Sequence, residues 1–155
     1  MTVLKGLIIR PIKRFHDERG FFTELMRTDW ADLFGEDQVA QANFSSTYPG
    51  VIRAWHRHLR GQNDYFLVLE GAIEICVYDE KTQELDEIVS SSLEFQAVKV
   101  PGRFWHGFKN IGNKPATLRG VLPWRERNSE NGGRRSLHGG HQGLRRVLTD
   151  CLAAQ

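Results

Sequence analysis

Short runs of β-branched and aromatic residues, each cut off by a turn residue, recur along most of this chain and dictate a β fold. The runs are LIIRPIKRF, QVAQANFSST, VIRAWHRH, DYFLVLE, AIEICVYD, FQAVKV, FWHGFKNI and ATLRGVL. Between them stand Gly20, Pro49-Gly50, Gly61, Gly71, Pro101-Gly102 and Gly112-Asn113. Strands this short, at this spacing, predict an all-β sandwich or barrel. Within AIEICVYD a period of two puts Ile73, Ile75 and Val77 on one face, and Glu74, Cys76 and Tyr78 on the other.

A chain of 155 residues suits one core. Residues 1–124 read as the β domain. Residues 125–155 read as a polar, Arg- and Gly-rich loop of the same domain. It ends in a short helix, where Leu144, Val147, Leu148, Cys151 and Leu152 fall at helical spacing. One earlier helix is expected over Thr28–Gly35, capped by Thr28 or Asp29 and stopped by Gly35.

Composition narrows the function classes. A hydrophobic share of 40% and a charged share of 26% describe a globular protein. A net charge of +2 is too weak to argue for nucleic acid. No apolar run has the length of a membrane span, and the start lacks the apolar core of a secretion signal. Cys76 and Cys151 form no disulfide framework, and Cys76 reads as a free, buried thiol on a strand. A cytoplasmic setting is expected.

The chemistry-bearing residues are histidines. His56 and His58 lie two apart, so a strand points both to one face, together with Ile52 and Ala54, about 7 Å apart at roughly 3.3 Å per residue. His106 comes from a later strand, and a barrel is the architecture that could gather all three. Any one of them, taken alone, is as readily a satisfied core residue. Histidine is a natural general base near neutral pH. Taking a proton from beside a carbonyl also needs a cation or donor for the enolate oxygen, and Arg53, Arg119 and His106 are the candidates. Strict alternation turns Arg53 away from His56, so a bulge is required if both serve one site.

Three stretches carry a resemblance. FHDERGFFTE holds Phe15, Asp17, Arg19, Gly20, Phe22 and Glu24. QANFSSTYPGVIRAWH holds Gln41, Asn43, Ser45, Gly50, Val51, Arg53 and His56. HGF spans His106 to Phe108 after a Pro-Gly turn. At these offsets the chain resembles the dTDP-4-dehydrorhamnose 3,5-epimerases. The resemblance implies a cupin-type jelly-roll β-barrel, a homodimer and a nucleotide-sugar substrate, without metal or cofactor. It also implies that His56 is the catalytic base. Arg19, Glu24, Gln41, Asn43, Arg53 and His106 then contact substrate or line its pocket, with Arg19 and Phe22 completing the site across the subunit interface.

The chain departs from that pattern in named places. Asp64 stands where the family has a lysine, and the family's proton-donating tyrosine falls near Leu118 or Arg119. Arg119 is therefore the second catalytic candidate, for the enolate. Trp124 lies close to the aromatic position that stacks on the base, and no residue matches the C-terminal aspartate that orients the catalytic histidine. The expected reaction is epimerisation or isomerisation next to the keto group of a 4-keto-6-deoxy sugar. His58, which the family lacks, joins the substrate-binding set. His58 or Asp64 could give His56 the polar partner that the missing aspartate would supply. Two alternatives stand beside this reading. One is a metal-dependent cupin using His56, His58 and His106, with Asn110 completing a second motif. The other is a sugar-nucleotide-binding relative without catalysis.

Overall fold

The computed structural model describes residues 4–58, 62–123 and 134–136. The predicted runs become strands: β1 (Ile8–Pro11), β2 (Arg14–Asp17), β3 (Gly20–Thr23), β4 (Val39–Thr47), β5 (Ile52–His58), β6 (Asp64–Glu70), β7 (Ala72–Asp79), β8 (Glu84–Ser91), β9 (Gln96–Val100), β10 (Trp105–Asn110), β11 (Ala116–Pro123) and β12 (Arg134–Ser136). One antiparallel sheet runs β1-β9-β6-β11-β4, and a second runs β12-β5-β10-β7-β8. Their apolar faces meet, as in a cupin jelly roll. LIIRPIKRF is not one strand: β1 joins the first sheet, whereas β2 pairs with β3 in a two-stranded hairpin.

The period-of-two pattern explains the core between the sheets. Val68, Val98, Val100, Ala116 and Leu118 from the first sheet pack against Ile73, Ile75, Val77, Ile88 and Phe108 from the second. Each such large side chain, fully buried, contributes roughly 1.5–3 kcal/mol. A second cluster covers the outer face of the first sheet. There Tyr65, Leu67 and Ala97 are sealed by Ile12, Leu33 and Phe34.

The helix α1 is shorter than expected, Ala31–Phe34, with Gly35 following at positive φ. Trp30 precedes it without a side-chain cap. Asp29 is diverted, because both its oxygens accept from the Arg27 guanidinium at 2.8 and 2.6 Å. Near α1, Asp37 Oδ2 accepts from Asn63 Nδ2 and Tyr65 OH, each at 2.5 Å, and pairs with Lys99 Nζ at 3.0 Å. Burial alone would raise the Asp37 carboxyl. The bonds from Tyr65, Asn63 and Lys99 outweigh it and hold the group below the usual carboxylate range.

Cys76 corrects a sequence expectation. It is disulfide-bonded rather than free. It lies on the outer face of β7 against Ala54, Trp55 and Leu85, outside the inter-sheet core. Among the described residues no helix is long and apolar enough to cross a membrane. The expected C-terminal helix and Trp124 lie outside the described residues.

Candidate active site

Three strands deliver polar side chains into one end of the space between the sheets. On β10, His106 alternates with Trp105 and Gly107, so it shares the inner face with Phe108. On β6, Asp64 and Phe66 share a face with the core residue Val68. Nε2 of His106 and Nε2 of His58 both stand 2.8 Å from Asp64 Oδ2. Nδ1 of His106 lies 3.2 Å from the Phe104 carbonyl, which only accepts, so that nitrogen carries a proton. Burial works to raise the Asp64 carboxyl, but the bonds from His106 and His58 more than offset it. The group is held well below the ordinary carboxylate range.

His56 pairs across the strands with His106, and their ring centroids are 6.3 Å apart. The His106 ring also meets His58 at 5.7 Å and Phe66 edge-on at 6.0 Å. Between His56 and Arg53 the register slips: His106 pairs with His56, but Phe108 pairs with Arg53. Two residues, Ala54 and Trp55, thus oppose Gly107 alone. Both turn to the outer face, where they pack on Cys76 and, for Trp55, on Tyr78 and Trp105. This is a β-bulge, and it brings Arg53 and His56 to the same inner face. Ala54 was expected beside the histidines and lies opposite them for this reason, as does Ile52, which pairs with Lys109.

Gly107 makes the bulge possible. A Cβ there would stand 2.4 Å from Ala54 Cβ. The Pro101–Gly102 turn closes in the same way on the segment carrying the cluster, since a Cβ on Gly102 would meet Gln62 O at 1.9 Å and His58 Cβ at 2.9 Å.

The family model for the polysaccharide biosynthesis C-terminal domain matches residues 15–122. The "Probable low-salt glycan biosynthesis epimerase Agl13" of Haloferax volcanii is 42% identical over 123 residues, 76% of this chain and 78% of the relative. The spore coat polysaccharide biosynthesis protein SpsL of Bacillus subtilis is 31% identical over 121 residues, 75% of this chain and 78% of that protein. The crystal structure of dTDP-6-deoxy-D-glucose-3,5-epimerase RmlC from Legionella pneumophila, in complex with dTDP-4-keto-L-rhamnose, superposes with a TM-score of 0.74. It shares 25% identity, covering 88% of this chain and 75% of that one. The chain belongs to the dTDP-4-dehydrorhamnose 3,5-epimerase-like cupins.

In this epimerase-like cupin the remaining expected residues divide into three groups. Gln41 and Asn43 lie on β4 and are joined by a bond of 2.6 Å from Gln41 Nε2 to Asn43 Oδ1. They share a strand face with Ser45, which opposes the core residue Leu118. Thr47 continues that face and accepts from Arg53 Nε at 3.0 Å, while Arg53 also donates to the Ser46 carbonyl at 3.1 Å. Gln41, Asn43 and Arg53 therefore share the inner side, with Arg53 held at the Thr47 end of β4 and Gln41 toward its other end.

Arg119 does not. It pairs with Leu67, whose side chain belongs to the outer cluster, and helps line a cavity of about 240 Å³ with Phe34, Val39 and Ala42. Its neighbour Leu118 takes the inner face. The expectation that Arg119 meets the enolate beside His56 is corrected by this one-residue phase. Glu24 accepts from Arg27 at 2.7 Å.

Arg19 and Phe22 sit on the β2–β3 hairpin, with Arg19 paired to Asp17 at 2.6 Å and Phe22 66% exposed. Asp64 does take up the role of a carboxylate partner, with its Oδ2 facing Nε2 of His58 and Nε2 of His106. Asn110 proves structural: its Nδ2 donates to the Thr47 and Lys114 carbonyls, each at 2.8 Å. Two contributors escaped the sequence reading. Phe66 was legible from the alternation of DYFLVLE. Thr47 had no distinguishing signal.

Proposed function

We propose that this chain epimerises or isomerises the sugar of a nucleoside-diphosphate 4-keto-6-deoxy sugar by proton transfer beside the keto group. The observation that carries the reading is the bulge, which sets the Arg53 guanidinium and the His56 ring on one inner face. His56 removes the proton from the carbon next to the carbonyl. The electron pair left behind is delocalised onto the keto oxygen, and a fixed cation such as Arg53 stabilises that enolate. Return of a proton to the opposite face of the same carbon inverts it. Gln41 and Asn43 supply amide donors and acceptors for the sugar-nucleotide on that inner side. The kinship with a glycan biosynthesis epimerase and a spore coat polysaccharide biosynthesis protein supports a place in carbohydrate assembly.

The test is a panel of 4-keto-6-deoxy nucleotide sugars incubated with the protein in D2O. Deuterium should enter next to the keto group of at least one of them, at one carbon or two. A folded protein that exchanges none of the panel would overturn the reading.

The site belongs to a dimer. Among the described residues β4 is an edge strand exposed on both faces for most of its length, and Phe44 and Tyr48 are 69% and 73% exposed. The hairpin joins neither sheet and holds up Phe15, Phe21 and Phe22. An open edge and an exposed aromatic hairpin in one chain are surfaces that a second copy would cover. The Arg19 and Phe22 of each subunit would then reach the partner's site. Phe22→Ala is expected to weaken nucleotide-sugar affinity and dimerisation together, measured by calorimetry and sedimentation. A wild-type monomer at micromolar concentration with full ligand affinity would contradict the shared site.

A further inference from the structure

Asp64 uses its two oxygens unequally. Oδ2 faces Nε2 of both His58 and His106 at 2.8 Å. Oδ1 is buried and has no hydrogen-bond partner among the described residues. Two ring nitrogens crowded on one oxygen, with the other oxygen bare, is a poor hydrogen-bonding solution for a buried carboxylate. It is a good ligand arrangement. One donor atom from each of the three residues lies within 4.8 Å of the others, and the residues come from three different strands, β5, β6 and β10.

A second feature points the same way. His106 turns its protonated Nδ1 to the Phe104 carbonyl at 3.2 Å. A histidine held in that manner presents Nε2 in a fixed direction, and a metal-bound imidazole is oriented by this kind of outer hydrogen bond. His106 is 1% exposed and Asp64 8% exposed, so neither gains from solvent what it lacks from protein.

We propose that His58 Nε2, Asp64 Oδ2 and His106 Nε2 form a binding site for one divalent transition-metal ion of the zinc, cobalt, nickel or ferrous class. Two imidazoles and a carboxylate are borderline donors, which favours these ions over magnesium or calcium. His56 stays outside the donor set, because the carboxylate takes the third place. The ion therefore lies beside the proposed base without consuming it. Three protein ligands leave further coordination positions for water or a substrate oxygen. The proposal shares the inner face of β5 and β10 with the epimerase reading but does not depend on it, since binding is read without turnover.

The experiment uses full-length protein made without a histidine tag and stripped by a chelator. Titration with Co2+ is followed by visible absorption, and titration with Zn2+ by calorimetry. One ion per chain is expected. Asp64→Asn and His58→Gln should each weaken binding by at least about tenfold, and His56→Asn should leave it unchanged. Circular dichroism shows whether each variant is folded, and the wild-type titration decides the matter if one is not. A wild-type protein that binds neither ion saturably overturns the proposal. So does stoichiometric binding that survives both ligand substitutions in folded protein, or that is lost with His56→Asn. Failed deuterium exchange with intact ion binding would remove the epimerase reading and leave this one standing.

Discussion

His56→Asn is expected to lose solvent-deuterium exchange by about 10²–10⁴-fold, the contribution of a positioned general base, while its circular dichroism and melting temperature remain near wild type. The fold should survive because His56 is half-buried and does not belong to the apolar cluster between the sheets. Asparagine keeps a polar group in the strand but has no basic nitrogen. The neighbouring His106 ring keeps its own contact with Phe66 at 6.0 Å. Exchange close to the wild-type rate in a folded variant would assign the base elsewhere. Loss of folding would instead make His56 a structural residue.

Gly107→Ala is expected to destabilise the protein by roughly 1–3 kcal/mol, the usual cost of forcing extra atoms into a packed interior. The melting temperature should drop by several degrees. The added methyl would stand 2.4 Å from Ala54 Cβ and 3.0 Å from Ala54 Cα, so the bulge must shift to admit it. Exchange activity should fall with stability, because the same bulge sets Arg53 and His56 on one face. Pairing the change with Ala54→Gly removes the nearest clashing atom. The double variant should recover part of the stability, a coupling that a double-mutant cycle measures directly. A Gly107→Ala protein that melts with the wild type would mean that the two strands do not hold this close approach.

The strands were legible because their apolar periods are strong, and the inner face of AIEICVYD came out as Ile73, Ile75 and Val77. The other face is covered as well: Cys76 and Tyr78 are buried beneath Trp55, Leu85 and Trp105. Periodicity reports only one side of a sheet when both are covered. The bulge was recognised as a requirement for uniting Arg53 with His56, but nothing local marks Ala54–Trp55 as its place. Its cause lies on the facing strand, at Gly107. Arg119 failed for the converse reason. Counting along a strand locates a position but not its phase, and a shift of one residue sends a side chain to the other face. Asp64 was noticed as a departure from the family. Its two histidine partners come from β5 and β10, and only the closed sheets bring them within reach.

One further property follows from neighbours at the start of β6. Asn63 reaches outward to Asp37, whereas Asp64 turns inward to His58 and His106. Two consecutive residues thereby pin the chain from both sides of a sheet, at the point where it delivers the carboxylate. The Gly102 amide closes on the Asn63 side chain at 3.4 Å and ties the turn before His106 to the same spot. A pocket braced in this way has little conformational freedom left to surrender when a ligand arrives. Its binding entropy should then be governed by released water rather than by ordering of its own walls.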